Sequence, residues 1–270
     1  MSYSIERKTA IVTGAANGIG LAIARHFAAQ GANVVFADID EARLKAEIGA
    51  EALKDDHIRL FAGDLRERLT IANLLSATLD AFDRIDILVN ATRQCLPCDP
   101  LAVDDDLVEQ LLQQNLLTGL RLSQAVAKRM IAQYEAEETD KRAISGSIVN
   151  LSSIAAGRAR PELMAFSIAM AASDQMTRML ALALAPHRIR VNGIAFGSVM
   201  STSLKDQIRD NPDLRSDIRS NTPLGRIAAP SEVAQAAQFL ASEAAGFMTG
   251  QIMTVDGGRG LVDPVAAPVH

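Results

Sequence analysis

Thr13-Gly14-Ala15-Ala16-Asn17-Gly18-Ile19-Gly20 is the stretch of this sequence that decides the fold. An apolar run before it predicts a buried strand, and the spacing of the residues after it predicts a helix. In such a turn, glycines let the backbone approach a pyrophosphate, and the open N–H groups of the helix start face its charge. Glycine is common in ordinary turns, so only the complete strand–turn–helix context predicts a dinucleotide site. The expected cofactor contacts in this turn are Gly14, Asn17, Gly18, Ile19 and Gly20.

A second apolar run ends in an acid, Asp38, which lies 18 residues after Gly20. This is close to the spacing of a carboxylate that binds the ribose of a dinucleotide. Such a carboxylate would bind the 2′-hydroxyl of NAD and repel the 2′-phosphate of NADP, so NAD is the predicted cofactor. The neutral Asn17 in the glycine turn also favours NAD, because it offers no positive charge to a 2′-phosphate. An alternative role for Asp38 is N-cap of the following helix.

The length of 270 residues and the 49% apolar content favour a single α/β domain over residues 1–270. The net charge of −5 with mixed signs suggests neither a nucleic-acid partner nor a membrane surface. No apolar run is long enough to cross a bilayer, and Met1–Lys8 lacks the apolar core of a secretion signal. Since two cysteines cannot form a disulfide framework, we expect a cytoplasmic location.

Strand and helix patterns alternate along the chain. Strands are predicted at Thr9–Val12, Val34–Asp38, His57–Leu65, Ile85–Asn90, Gly146–Ser153, Arg190–Ala195 and Gln251–Gly258. Helices are predicted at Leu21–Phe27, Glu41–Leu53, Glu67–Phe82, Asp104–Gln114, Leu116–Gln133, Met164–Ala185 and Ser231–Ala244. This order predicts a Rossmann-type, doubly wound, seven-stranded parallel sheet with helices on both faces. Glu135–Arg142 is predicted to be a charged loop insertion, and the tail over 259–270 is predicted to be loose.

Several further blocks follow the glycine turn in a characteristic order. They are Asp64-Leu65, Asn90, Asn115, Asn150–Ser153, Pro223–Arg226, Pro230–Ala234, Phe239–Ser242, Thr249–Gln251 and Val255–Gly258. With the Thr-Gly-x-x-x-Gly-x-Gly turn, they make the chain resemble the short-chain dehydrogenase/reductase family over nearly its full length. The resemblance implies an NAD(P)-dependent oxidoreductase acting on alcohols or carbonyls.

The resemblance also implies roles for individual residues. Ser153 would hold the substrate oxygen, and Asn115 would keep a water relay in place. Asp64 and Leu65 would contact the adenine, and Asn90 would lie beside the cofactor. Ser201 stands where a threonine often contacts the carboxamide. Ser153 and Asn115 could instead be retained because they stabilise structure locally.

The family's proton-transfer pair is missing from this sequence. Its members carry a tyrosine thirteen residues after the serine and a lysine four residues later, and these positions hold Phe166 and Met170 here. Phenylalanine has no proton to give, and methionine cannot donate a hydrogen bond to a ribose hydroxyl. The other tyrosines, Tyr3 and Tyr134, lie in unsuitable places in the sequence. Losing a general acid costs a factor of about 100 to 10,000 in rate.

Two further departures fall near the expected cofactor. Arg93 replaces a glycine of the family's Asn-Asn-Ala-Gly and is expected to crowd the adenosine or to reach a phosphate. Phe196 replaces a proline and is expected to make the nicotinamide pocket narrower. Cys95 and Cys98 form a Cys-x-x-Cys, for which we considered a redox pair, a zinc site or incidental thiols in a substrate-side loop, and we favour the last. No metal site is predicted.

Two principal hypotheses follow. The first is an oxidoreductase that binds NAD(H) and has impaired or altered hydride transfer, with Ser153 and Asn115 still orienting an alcohol or carbonyl. The second is a non-catalytic subunit or regulatory partner. A weaker third is a lyase or isomerase without net redox chemistry. By resemblance we expect a homodimer or homotetramer through Leu116–Gln133 and Met164–Ala185, or a hetero-oligomer with an active relative.

Overall fold

The computed structural model describes residues 2–52, 55–136 and 144–263. These residues form a seven-stranded, entirely parallel sheet with strand order β3-β2-β1-β4-β5-β6-β7. The strands are β1 Thr9–Thr13, β2 Asn33–Asp38, β3 Ile58–Ala62, β4 Ile87–Asn90, β5 Gly146–Ser153, β6 Ile189–Phe196 and β7 Ile252–Val255. The strand order reverses between β1 and β4, and the carboxyl ends of these strands border a ligand crevice in folds of this kind. The predicted fold class is confirmed.

Helices cover both faces of the sheet. They are α1 Gly18–Ala29, α2 Glu41–Ala52, α3 Arg68–Phe82, α4 Leu107–Leu112, α5 Thr118–Ala136, α6 Met164–Leu184, α7 Thr202–Asp210, α8 Asp213–Ser220 and α9 Pro230–Ala241. Alternate side chains of β1 enter different cores: Val12 packs with α1 and α9, whereas Ile11 packs with α3 and α5. This alternation explains why the strand is buried at every position. Within the described ranges, no helix combines the length and apolarity that spanning a bilayer requires.

The structure differs from the predicted elements in three places. The break predicted between Gln114 and Leu116 is wrong, because a π-helical segment over Gln113–Leu117 joins α4 to α5. Strands β5 and β6 agree closely with their predicted ranges, whereas the helices α7 and α8 were not predicted. The prediction of a loose tail is wrong for the first residues of 259–270. Arg259–Leu261 forms a 3₁₀ turn, and Arg158 donates hydrogen bonds to the carbonyl oxygens of Gly260 and Val262. Leu53, 137–143 and 264–270 lie outside the described residues.

Candidate active site

The glycine turn fits tightly between the strands and α1. Gly14 has a φ of +64°, and a Cβ there would lie 3.0 Å from the backbone of Ala91. A Cβ on Gly20 would lie 2.2 Å from the carbonyl oxygen of Gly14. Gly18 has a φ of +55°, and its open side faces Ser201, whose Cβ would be 3.9 Å away. Two glycines therefore serve close packing, whereas Gly18 leaves space at the crevice.

The start of α1 is open for an anion. Asn17 is the N-cap residue, and its side chain makes no capping hydrogen bond. The first N–H groups of a helix need acceptors, and a phosphate is a suitable one. Gly18 and Ile19 begin this helix, and Ile19 also lines a cavity of about 440 Å³. This end of the site fits the pyrophosphate of a dinucleotide.

The side chain of Asp38 is hydrogen-bonded to the glycine turn. Its Oδ2 accepts a hydrogen bond from the N–H of Ala16 at 3.0 Å, and its Oδ1 accepts from the N–H of Asp40 at 3.1 Å. The alternative role of Asp38 as helix cap is wrong, because α2 begins at Glu41 and Asp40 accepts from the N–H of Arg43. Each carboxylate oxygen of Asp38 keeps a lone pair, so the side chain can still accept from a ribose hydroxyl.

A small cavity of about 130 Å³ lies beside Asp38 and is lined by Asp64, Leu65 and Thr92 among others. Asp64 forms an ion pair with Arg66, whose Nη2 lies 2.6 Å from Oδ2. Hydrogen bonds from Arg66 lower the pKa of the Asp64 carboxyl below its ordinary value, although partial burial opposes the shift. Asp64 therefore stays ionised as an acceptor at the edge of this cavity, where the resemblance implies the adenine.

Asn115 lies in the π-helical segment and is buried. Its Oδ1 accepts from the N–H of Gln94, and its Nδ2 donates to the carbonyl oxygen of Gln94, both at 2.8 Å. This pair of hydrogen bonds fixes the chain directly after Arg93. π-Helical turns often occur at functional sites, and the Asn115 amide keeps one N–H hydrogen and one oxygen lone pair beyond its bonds to Gln94. Its predicted role in a water relay stays a prediction.

Asn90 is engaged within the protein. Its Nδ2 donates to the hydroxyl of Ser123 at 2.9 Å and to Oδ1 of Asn150 at 2.8 Å. Asn150 in turn donates to the hydroxyl of Thr177. Since both amide hydrogens of Asn90 are used, this network joins the ends of β4 and β5 to α5 and α6 and leaves Asn90 only its carbonyl oxygen for a cofactor.

Ser153 opens into a cavity of about 440 Å³ at the carboxyl ends of β5 and β6. Its Oγ accepts a hydrogen bond from the N–H of Ala155 at 3.2 Å. Ser201 lines the same cavity, and its Oγ caps α7 by accepting from the N–H of Leu204 at 3.3 Å. Both hydroxyls retain a proton to donate, so both can hold a polar group in the cavity.

Phe166 and Met170, which the count from Ser153 assigns to the positions of the missing pair, both lie on α6. Phe166 lines the cavity, whereas Met170 is 1% exposed and does not line it. Both belong to an apolar cluster with Leu111 on α4. Among the described residues that line the cavity there is neither a tyrosine nor a lysine. This geometry supplies no hydroxyl–ammonium pair next to Ser153.

Arg93 lies at the Ser153 end of the crevice. Its Cζ is 4.0 Å from the centroid of the Phe196 ring and 5.9 Å from that of Phe166. The expectation that it crowds the adenosine does not match this position, because Arg93 does not line the cavity beside Asp38 and Asp64. That it reaches a phosphate stays a prediction, since Arg93 and Ile19 line the same cavity. Burial lowers the pKa of the guanidinium to about 10, so Arg93 remains charged at neutral pH.

The cysteines are both free. Cys95 lines the cavity, and burial raises the pKa of its thiol, with an opposing effect of Arg93. A redox-active cysteine pair needs a lowered thiol pKa, so the redox interpretation of Cys95 and Cys98 has no support. Within the described ranges, no group of three or more histidine, cysteine or acidic side chains is arranged to hold a metal ion.

Sequence reasoning missed three arginines that line the cavity: Arg158, Arg160 and Arg259. Arg158 and Arg160 lie shortly after Ser153, in the segment that leads from the end of β5 to α6. In a parallel sheet this segment borders the ligand crevice, so its two arginines were a usable signal. Arg259 lies in the tail, and only the tertiary structure brings it to the cavity.

Comparison with known proteins identifies the family. The family described as enoyl-(acyl carrier protein) reductase matches residues 14–259. The chain is 35% identical over 260 residues to cis-4-hydroxycyclohexanecarboxylate dehydrogenase of Sinomonas cyclohexanicum, covering 96% of this chain and 98% of the relative. It is 34% identical over 261 residues to galactitol 2-dehydrogenase (L-tagatose-forming) of Cereibacter sphaeroides, covering 95% and 96%.

A solved structure agrees with these sequence relatives. The short-chain type dehydrogenase/reductase from Mycobacterium ulcerans superposes with a TM-score of 0.85 at 28% identity, covering 96% of this chain and 91% of that one. The similarity therefore extends through the glycine turn, all seven strands and the segment around Ser153. This chain belongs to the short-chain dehydrogenase/reductase family.

Proposed function

We propose that the protein is an NAD(H)-binding oxidoreductase of this family in which ordinary hydride transfer between alcohol and carbonyl is impaired. The observation that carries the proposal is the apolar packing of Phe166 and Met170, at the positions where the resemblance implies a hydroxyl and an ammonium group. Relatives named for dehydrogenation of galactitol and of cis-4-hydroxycyclohexanecarboxylate support an alcohol or carbonyl as the substrate class.

The residues of the candidate site fit the adenosine and pyrophosphate of NAD(H) better than its nicotinamide. The open start of α1 and the free lone pairs of Asp38 suit a pyrophosphate and an adenosine ribose, and they favour NAD over NADP. Bound NAD(H) would supply or accept the hydride. On the nicotinamide side, Met170 offers no donor to a ribose hydroxyl, and Arg93 with Phe196 narrows the cavity. We therefore expect NADH to bind mainly through its adenosine and pyrophosphate.

Ser153 is the group that the resemblance assigns to the substrate oxygen. Its hydroxyl lines the cavity and can donate to a carbonyl oxygen. Without a side-chain acid beside it, the proton would come from water or from the substrate itself. Losing the acid alone costs a factor of about 100 to 10,000 in rate, and losing the cation that lowers its pKa adds to this cost.

The second candidate is a non-catalytic subunit that binds an active relative or a second copy of this chain. The observation that favours it is a set of exposed apolar side chains on α6, namely Ile168, Met179 and Leu182. The family resemblance places an oligomer interface on α5 and α6, and exposed apolar side chains suit such an interface. The free thiols of Cys95 and Cys98 support a reducing, cytoplasmic setting for either candidate.

The deciding experiment measures NADH binding to the purified protein by calorimetry and then NADH oxidation across a panel of aldehydes and ketones. We expect micromolar binding and slow turnover that falls further in Ser153→Ala. Absence of binding at millimolar NADH and NADPH would overturn the proposal and favour the non-catalytic subunit. Fast turnover of an aldehyde or ketone by the purified protein alone would overturn both the proposed impairment of hydride transfer and the non-catalytic alternative.

A further inference from the structure

The cavity next to Ser153 carries an unusual charge. Among the described residues, four arginines line it, Arg93, Arg158, Arg160 and Arg259, and no aspartate or glutamate does. The chain as a whole has a net charge of −5, so this concentration of positive charge runs against the composition. A cavity lined by one sign of charge raises the local concentration of ligands of the opposite sign.

Arg93 is the deepest of these cations. Its contacts among the described residues are the ring faces of Phe196 and Phe166, and no hydrogen bond or ion pair of the described residues satisfies its N–H groups. The Arg93 side chain is half-buried, and this burial lowers the pKa of its guanidinium to about 10. A guanidinium held against two aromatic rings and open to a cavity can still donate to an acceptor there.

The other arginines keep their charge available. Arg158 donates to the carbonyl oxygens of Gly260 and Val262, and Arg259 donates to the hydroxyl of Ser198 at 2.7 Å. These acceptors are neutral, so they leave the positive charges uncompensated. Arg160 is exposed at the mouth of the cavity. None of the four is within ion-pair distance of a carboxylate in the described part of the chain.

The remaining walls are suited to an organic molecule rather than to a bare ion. Leu163, Phe166 and Val199 provide apolar surface, and Ser153 and Ser198 provide hydroxyls. We propose that this cavity binds a small organic carboxylate, with the carboxylate on Arg93 and the body of the molecule against Phe166 and Val199. The inference goes beyond the proposed function, because it requires neither bound cofactor nor hydride transfer.

A carboxylate fits better than a phosphate monoester. At the floor of the cavity one guanidinium faces apolar rings, and it can form two parallel hydrogen bonds to a planar carboxylate. A phosphate dianion would place excess charge and a third oxygen against Phe166 and Phe196. Arg158, Arg160 and Arg259 line the same cavity and add positive charge around the bound carboxylate.

The test is calorimetric titration of the protein without cofactor. The probes are benzoate, cyclohexanecarboxylate and gluconate, each compared with its neutral amide and with phenyl phosphate. We expect at least one carboxylate to bind at least about 10-fold more tightly than its amide, because a hydrogen bond to a charged group is stronger than one between neutral groups. Equal affinity of each acid and its amide would overturn the proposal, as would tighter binding of phenyl phosphate or no carboxylate binding at tens of millimolar.

Variants assign the effect to Arg93. Arg93→Gln should weaken carboxylate binding about 10- to 100-fold, Arg93→Lys should restore part of it, and the affinity of the amide should stay the same. The matched control is Arg215→Gln, which removes an exposed arginine of α8 that does not line the cavity. Unchanged carboxylate affinity in Arg93→Gln would overturn the assignment. Since no cofactor is present, failure here is distinct from failure of the NADH titration.

Discussion

The guanidinium of Arg93 lies on the ring of Phe196, with Cζ 4.0 Å from the ring centroid, in the place where the resemblance implies a nicotinamide pocket. Arg93 follows β4 and Phe196 ends β6, so the contact crosses the carboxyl end of the sheet above β5. A cation–π contact of this kind contributes about 1 kcal/mol, which does not offset the loss of hydration of a buried charge. The pair is therefore better explained by a ligand than by stability.

Replacing Arg93 by an apolar side chain of similar length should stabilise the protein. Arg93→Met removes an uncompensated charge and keeps packing against Phe196, so we expect the free energy of unfolding to rise by about 1–2 kcal/mol. Urea denaturation at neutral pH measures this change, and Arg215→Met serves as the surface control. A lower stability of Arg93→Met would show that the charge has a protein partner.

The glycine turn allows a sharp comparison between two of its glycines. Gly20→Ala places a Cβ against the carbonyl oxygen of Gly14, so we expect a loss of about 3 kcal/mol or more. Gly18→Ala meets open space and only strains a backbone with a φ of +55°, which costs about 1 kcal/mol. Chemical denaturation of both variants tests this order. Equal losses would contradict the packing role assigned to Gly20.

Asp38 should determine the choice between the two nicotinamide cofactors. Asp38→Asn keeps an oxygen for the N–H of Ala16 but removes the charge, so we expect NADH affinity to fall about 10-fold and the preference over NADPH to shrink. Calorimetry with both cofactors measures the ratio. Asp80→Asn, on the exposed side of α3, is the control. An unchanged NADH-to-NADPH ratio would remove Asp38 from the ribose site.

An exposed ion pair gives the fold a measurable acid sensitivity. Arg226 donates to both oxygens of Glu232 at 2.7 Å, and the N–H of Ala229 adds a third hydrogen bond at the start of α9. The Arg226 hydrogen bonds are the main reason that the pKa of the Glu232 carboxyl falls to about 2.

Because the folded pKa lies below the unfolded one, the contribution of Glu232 is present above pH 4.5 and is lost as the pH falls toward 2. After solvent screening, Glu232→Gln should cost about 0.5–1 kcal/mol at pH 7 and much less near pH 2. Urea denaturation at both pH values measures the difference, with Glu243→Gln as the control. A cost that is independent of pH would contradict the assignment.

The sequence predicted the features that depend on local pattern. The β-α alternation, the glycine turn and the acid at the end of β2 follow from hydrophobic runs and short spacings, and the structure places all of them as expected. Two short, highly charged helices, α7 and α8, were missed because each is strongly polar and buries little apolar surface. The break before Leu116 was wrong because a π-helical turn continues the helix without a sequence signal of its own.

Only some of the side chains in the candidate site could be predicted from the sequence. Counting from Ser153 assigned Phe166 and Met170 to the positions of the missing pair, and both lie on α6 in one apolar cluster. The direction of Arg93 could not be read from the sequence, since it depends on rings at positions 166 and 196 that meet only in the folded chain. The same holds for Arg259, which reaches the cavity from the far edge of the sheet through Ser198.

Restoring the missing pair should recover reductase chemistry. The double variant Phe166→Tyr with Met170→Lys returns a hydroxyl to the cavity beside Ser153 and a cation that lowers its pKa. We expect NADH oxidation with a reactive carbonyl to rise by about 100-fold or more over the wild-type protein, whereas either single variant should gain little. Met170→Lys also buries an ammonium group beside Leu111, so a lower melting temperature is expected.

The control for this gain is Phe166→Leu with Met170→Lys, which carries the same charge without the hydroxyl and should stay inactive. Adding Arg93→Gly to the double variant should raise the rate further, because it clears the guanidinium from the face of Phe196 and removes a charge that repels the new lysine. If the double variant binds NADH as the wild type does and still shows no gain, the loss of activity lies in the shape of the cavity around Phe196 rather than in the absent proton donor. A wild-type rate equal to that of the double variant would instead show that another group supplies the proton.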